Sequence, residues 1–231
     1  QDKGKLLFTS SSETYSGTLS VLGEENFPIP TPETIPLTID DVSNVRWSYG
    51  GGKLLSEIAL YSYREMCGLD RFSIVRLHNI YGPRMGFEHV IPQFIERILK
   101  KEFPFKIYGG EETRSFCYIN DVLDSLTHIM ESDETNGEIY NVGNDDEEIK
   151  IMDLAKNLFE IADVNTDIKV LPAPKGSVSR RCPDITKLKS IGYEKQTSLE
   201  EGLNNTFEWY KNHYEWYSKK YTKGVYSNET K

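Results

Sequence analysis

The chain predicts an α/β fold with a mainly parallel sheet. Two observations carry that expectation. Strand and helix signals alternate from one end to the other, the pattern of strands joined by crossover helices. The two clearest apolar strands, in "KLLFTS" and "FSIVRLHNIYG", run directly into polar loops at "TSSSE" and "HNIYG". Ligands of such sheets bind beyond the carboxyl ends of strands, so those two ends are where chemistry is expected. At 231 residues the chain can bury a sizeable core.

Each element has its own signal. "KLLFTS" is a short apolar run that breaks at Ser10-Ser11-Ser12, and a Pro-rich loop runs from Asn26 to Pro36. From Ser48 to Cys67, Leu54, Leu55, Ile58, Leu60, Tyr61 and Met66 recur at helical spacing, with Gly68 as the stop. A strand from Phe72 to Leu77 ends in a loop closed by Gly82-Pro83. A helix from Val90 to Lys101 carries Pro92 in its first turn. "FKIYGGEETRSFCYI" reads as two short strands around a Gly-Gly turn. Asn120 is expected to cap a helix from Asp121 to Met130, and "GEIYNVG" is a strand. Asp145 to Glu148 precede a helix from Ile151 to Ala162, as an acidic cap at its positive end. "DIKVLPAP" is a strand, Asp184 to Ser190 a short helix, and Ser198 to about Trp209 the final one. Residues 219–231 read as a polar, frayed tail.

Composition narrows the function. A net charge of −9 and a pI near 5.1 argue against nucleic acid as a main partner. No apolar run approaches the roughly 20 residues of a membrane span. Cys67, Cys117 and Cys182 lie far apart without a CxxC pair or metal spacing, and read as buried, reduced thiols of a cytoplasmic protein. No metal site is expected. The chain opens Gln-Asp-Lys-Gly-Lys and enters a strand at once, which reads as a piece of something longer.

"YGGGK" raises the sharpest chemical expectation. On a helix, residues i and i+4 share a face, so Tyr49 and Lys53 would project together across three glycines. A tyrosine beside an ammonium is a better base than tyrosine alone, and such a pair suits proton removal from a sugar hydroxyl as hydride leaves the same carbon. A phosphate-cradling loop would need GxGxxG or GxxxxGK[ST] after a strand, and neither is present. The glycines cost helix stability, so they suggest close approach by something.

With "SSSETY", "WSYGGGKLLSE" and "RLHNIYGPRM" in that order, the chain resembles the extended short-chain dehydrogenases. More narrowly, it resembles the NAD-dependent nucleotide-sugar epimerases, dehydratases and decarboxylases. "IYGGEETRSFCYINDV", "EIYNVGN" and "RRCPDITKLKSIGYE…SLEEGL" extend the likeness over residues 5–213. The resemblance implies a Rossmann-like mainly parallel sheet, of which this chain holds the C-terminal part, with a smaller α/β substrate-binding lobe. Residues 1–90 would be the remaining NAD-binding portion with the Tyr-Lys helix, and 91–218 mainly the substrate lobe, interleaved with Rossmann elements. The family's N-terminal glycine-rich turn for the dinucleotide is not matched.

The resemblance also implies roles. Tyr49 would be the catalytic base and Lys53 its electrostatic partner, also holding the nicotinamide ribose. Ser11 would bond the sugar C4 oxygen. Ser12 and Glu13 would decide the fate of the 4-keto sugar that forms when NAD oxidises C4. Ser10 and Leu77, at the two strand ends, would lie beside the cofactor. Asn79 and Arg114 would bind the diphosphate end of a UDP-, GDP- or dTDP-sugar, as a guanidinium does well, and Arg180 or Arg181 would do likewise near the nucleotide or the sugar. His78 reads as structural. The outcome stays open among decarboxylation, epimerisation and dehydration with Glu13 as base, and homodimer formation through the Tyr-Lys helix is implied for the full-length form. The alternative is a sugar-nucleotide-binding fragment unable to hold NAD alone.

Overall fold

The segment FSIVRL forms the middle of the main sheet because every residue from Phe72 to Arg76 is buried, as a strand covered on both faces requires. The computed structural model describes residues 4–173 and 177–225. Among these, in chain order, are β1 (Leu6–Ser11), α1 (Ser16–Leu22), α2 (Gly50–Cys67), β2 (Phe72–Leu77), β3 (Ile80–Tyr81) and α3 (Val90–Leu99). Next come β4 (Phe105–Tyr108), β5 (Thr113–Arg114), β6 (Cys117–Tyr118), α4 (Ile119–Glu131), β7 (Glu138–Val142), β8 (Ile149–Lys150) and α5 (Ile151–Ala162). Last are β9 (Ile168–Leu171), β10 (Arg180–Arg181), α6 (Thr186–Ser190) and α7 (Leu199–Val225).

The chain divides into two compact units. The first comprises Gln1–Ile80, Thr113–Glu148 and Val178–Gln196, and the second Tyr81–Glu112, Ile149–Ser177 and Thr197–Lys231. In the first, β1 and β7 flank β2 and all three run parallel. Ser11 stands opposite Leu77, and Leu77 opposite Val142, so the three carboxyl ends finish side by side. The core joins Val75, Tyr140 and Val142 of this sheet to Val122 and Ile129 of α4, with Ile185, Leu188 and Tyr193. Helix α2 stops at Gly68, which takes the left-handed conformation (φ 67°) and donates its N–H to Arg64 O.

In the second unit β4 and β9 form a parallel pair, and Phe105 is fully buried between the edges of Phe94 and Phe159. Tyr210, Tyr214, Tyr217 and Tyr221 of α7 recur on one face and all pack on Phe87. That aromatic stripe carries α7 to Val225, well past the expected end at Trp209. Residues 219–225 are therefore helical rather than a tail, and 226–231 lie outside the described residues.

Several local expectations need correction. The Gly-Gly segment does not join a hairpin: β4 pairs with β9, and β5 pairs in parallel with β10. Asn120 lies inside α4, whose N-cap is Tyr118, without a side-chain cap. The acids 145–148 are held by cations instead of capping a helix: Asp145 by Lys189, Asp146 and Glu147 by Lys195, and Glu148 by Arg180. Cys117 and Cys182 are buried as expected, but Cys67, at the end of α2, is exposed. The turn Ser12–Tyr15 and the helix α1 carry no clear periodicity, and the structure adds both.

Candidate active site

The first unit builds its site where β1 ends. Thr9-Ser10-Ser11 leads into a 3-10 turn, Ser12–Tyr15, tied by the Ser11 hydroxyl accepting Glu13 N–H (3.2 Å) and by Thr14 Oγ1 donating to Ser11 O (2.8 Å). Gly17 comes next at a position where a Cβ would overlap the Thr38 carbonyl, so this loop is fixed by backbone contact.

Tyr49 and Lys53 meet that loop together. Tyr49 is the N-cap of α2 and its carbonyl accepts Lys53 N–H (2.9 Å), closing the first helical turn. The Lys53 ammonium donates to Thr9 O (2.7 Å) and sits 5.7 Å from the Tyr49 ring centre. Tyr49 itself is 54% exposed. The expectation that close approach explains the glycines holds for Gly50 alone. There a Cβ would come within 3.2 Å of Glu13 O and 3.3 Å of the Trp47 ring, whereas nothing described lies within 4 Å of one at Gly52. The neighbour at Gly50 is thus the chain's own loop, which brings the first turn of α2 against Glu13.

A small cleft of about 30 Å³, open at its mouth, adjoins this loop. Ser12, Tyr15, Thr31, His78, Arg180 and Arg181 are among its lining residues. Arg181 donates to Glu13 Oε1 (2.8 Å), and Ser16 donates to Glu13 Oε2 (3.2 Å). Arg180 binds Glu148 through Nε and Nη2 at 2.8–3.1 Å, and its guanidinium holds that carboxyl below the usual carboxylate range. Arg180 and Arg181 therefore both line the cleft, each already paired with an acid.

Four other expected residues make contacts within the chain. The Ser10 hydroxyl is buried and donates to Glu57 Oε1 (2.5 Å), so its side chain serves the interior. Leu77 packs against the core. Asn79, at φ 45°, donates to Ser115 O (3.0 Å), and Arg114 donates to Thr113 O (2.7 Å) and Val178 O (2.8 Å).

Sequence reading missed the network behind the cleft. Glu57 and Arg76, at 3% relative exposure each, form a two-pronged ion pair (3.1 and 2.7 Å). Arg76 also donates to the Tyr15 hydroxyl (2.8 Å), which donates to Asn141 Oδ1 (2.9 Å). His78 Nε2 lies 2.9 Å from the same oxygen. Burial pushes the Tyr15 phenol up to about 12 and the His78 imidazole down to about 4. The available signal was charge in apolar settings: Arg76 inside a strand and Glu57 on an apolar helix.

The model of the NAD dependent epimerase/dehydratase family matches residues 1–143. The chain belongs to that family. A UDP-glucuronic acid decarboxylase of Arabidopsis thaliana is 34% identical over 202 residues, covering 86% of this chain and 55% of its own length. A UDP-N-acetyl-alpha-D-glucosaminuronate decarboxylase of Bacillus cytotoxicus is 32% identical, covering 90% of this chain and 64% of its own. The crystal structure of UDP-glucose 4-epimerase with UDP-glucose from Thermotoga maritima superposes with a TM-score of 0.76 at 31% identity, over 92% of this chain and 65% of that one. The chain thus spans about 55% to 65% of the length of these relatives.

The family is NAD-dependent, and the residues present fit one end of that cofactor. Lys53 spends one donor on Thr9 O, and an ammonium has three. No cluster that could hold a metal ion occurs among the described residues, and no described helix is long and apolar enough to cross a membrane.

Proposed function

We propose that the chain carries the substrate chemistry of an NAD-dependent enzyme acting on a UDP-hexuronate, with Tyr49 as the base at the sugar C4 hydroxyl. The observation that carries this reading is the Tyr49–Lys53 pair at the end of β1, with the ammonium anchored on Thr9 and the loop Ser11–Glu13 beside it. In this reading Lys53, whose ammonium lies 5.7 Å from the Tyr49 ring centre, stabilises charge developing on the phenolate oxygen. On the same reading the Ser11 and Ser12 hydroxyls orient the sugar, and Arg181, which donates to Glu13, offers its remaining N–H groups to an anionic substrate group. NAD would supply the hydride acceptor for C4 and, once the carboxylate has left and C5 has taken up a proton, would return that hydride to C4 to give the UDP-pentose.

The C4 ketone, β to the C6 carboxylate, favours loss of that carboxylate as CO2, the electron pair staying on C5 until a proton is taken up. The names of the two decarboxylase relatives support this outcome over epimerisation. Leu55, Ile58 and Met66 are exposed along α2, and we assign that face to pairing with a second copy.

The test supplies the protein with NAD and UDP-glucuronate and monitors UDP-pentose and CO2 by NMR. Tyr49→Phe should lower turnover by about 100-fold or more, the usual weight of a positioned base, while UDP-glucuronate binding stays within about 3-fold. Turnover retained in Tyr49→Phe would overturn the assignment.

A further inference from the structure

His78 lines the cleft, and the surrounding bonds dictate which of its ring nitrogens carries the proton. The Asn141 amide nitrogen donates to two carbonyls, Thr31 O (2.9 Å) and Asp184 O (3.2 Å), which can only accept. That fixes the orientation of the amide, and Oδ1 must be the atom facing Tyr15 and His78. Arg76 can only donate, so the Tyr15 hydroxyl receives from Arg76 and gives its own hydrogen to Asn141 Oδ1. The remaining contact at Oδ1 is His78 Nε2, at 2.9 Å, and two acceptors cannot share it. Nε2 therefore carries the proton.

Charge and space settle the other nitrogen. Arg76 and Arg181 both disfavour a positive His78, and burial disfavours it more. Tyr15 stands 5.8 Å away, ring to ring, and stays protonated. The imidazole is neutral near pH 7, so Nδ1 keeps its lone pair and carries no proton. No hydrogen bond to Nδ1 from a described residue accompanies the one at Nε2. Gly143 backs the residue closely, since a Cβ there would lie 2.9 Å from His78 Cβ. His78 lines the cleft with Ser12, Tyr15 and Arg181.

We propose that His78 is a specificity-determining residue of the cleft, its Nδ1 accepting a hydrogen bond from a sugar hydroxyl of the nucleotide-sugar. This rests on the nucleotide-sugar reading above and adds to it a choice of group. A lone pair at this position favours a hydroxyl and repels a carboxylate, whereas Arg181 favours the carboxylate. The two residues would thus set which end of the sugar lies on which side.

Two substitutions separate the two nitrogens. Asparagine places its amide near the Nδ1 position, so His78→Asn keeps an acceptor for the sugar and loses the bond to Asn141. Glutamine reaches the Nε2 position, so His78→Gln keeps the bond to Asn141 and loses the acceptor. Calorimetry with UDP and with UDP-glucuronate at pH 7 gives, for each protein, the ratio of the two affinities. We expect that ratio to fall about 3- to 10-fold in His78→Gln, the weight of one hydrogen bond, with thermal stability near that of the wild type. In His78→Asn the ratio should stay within about 2-fold, less than one hydrogen bond is worth, although the melting temperature falls. A ratio unchanged in His78→Gln, or lowered equally in both variants, overturns the proposal. Wild-type protein that binds neither UDP nor UDP-glucuronate overturns the nucleotide-sugar reading and this proposal together, a result distinct from binding that the substitutions leave untouched.

Discussion

Replacing Glu57 by leucine tests whether the ion pair behind the cleft holds β1, β2 and α2 in place. Arg76 would remain charged, because guanidinium does not release its proton in proteins. It would keep only two neutral acceptors, the Tyr15 hydroxyl (2.8 Å) and Glu33 O (3.1 Å), and lose both bonds to the carboxylate. Ser10 would lose its acceptor as well. Breaking one side of a buried pair costs about 3–5 kcal/mol. With a urea dependence of about 3 kcal/mol per molar for a chain of this size, the unfolding midpoint should fall by about 1–1.7 M. Arg76→Leu should cost about as much, since it strands the carboxylate. The double variant should lose less than the two single losses together, because it leaves no uncompensated charge. Urea unfolding tracked by circular dichroism measures all three. Additive losses, or a shift in Glu57→Leu below about 0.3 M, which is under 1 kcal/mol, would refute the coupling.

The pH dependence and the cysteines give two more tests. His78 has a folded value of about 4 against an ordinary 6.5, so between those values the unfolded chain binds a proton that the folded chain refuses. Its contribution is fully present above pH 6.5 and is lost as pH falls toward 4, a total of about 3 kcal/mol. Unfolding of His78→Phe beside the wild type between about pH 4 and pH 7.5 isolates it, and equal slopes would contradict the assignment. Cys67 is exposed, whereas burial pushes Cys117 up to about 12 and Cys182 up to about 11. One thiol should therefore react quickly with a disulfide reagent in the native protein, and Cys67→Ser should abolish that fast phase. A fast phase that survives in Cys67→Ser would place reactivity at a residue the packing shields.

The features legible in the sequence are local ones. The helix from Tyr49 onward shows itself through i, i+4 apolar spacing and the Gly68 stop, and the same spacing pairs Tyr49 with Lys53. The two strands that end at Ser11 and Leu77 announce themselves by apolar runs breaking into polar loops, and they lie adjacent and parallel. Long-range partnership is not legible in the same way. Asn141 sits 126 residues from Tyr15 and 110 from Thr31, and nothing in "GEIYNVG" marks its asparagine as the hub of a proton network. Arg180 and Glu148 are each visible as charges, but their union depends on how the chain returns to the cleft. Even the glycines of "YGGGK" divide on this line: Gly50 is explained by Trp47 and Glu13, a contact no spacing rule contains. Parallel sheets make this division unavoidable, because their strand ends gather side chains from segments far apart in the chain. The residues that do chemistry at such ends carry local signatures, while the residues that fix their protons and charges do not. A reading of the family's motifs therefore reaches Tyr49 and Lys53 and stops short of His78, whose proton position depends on an amide orientation set by Thr31 and Asp184.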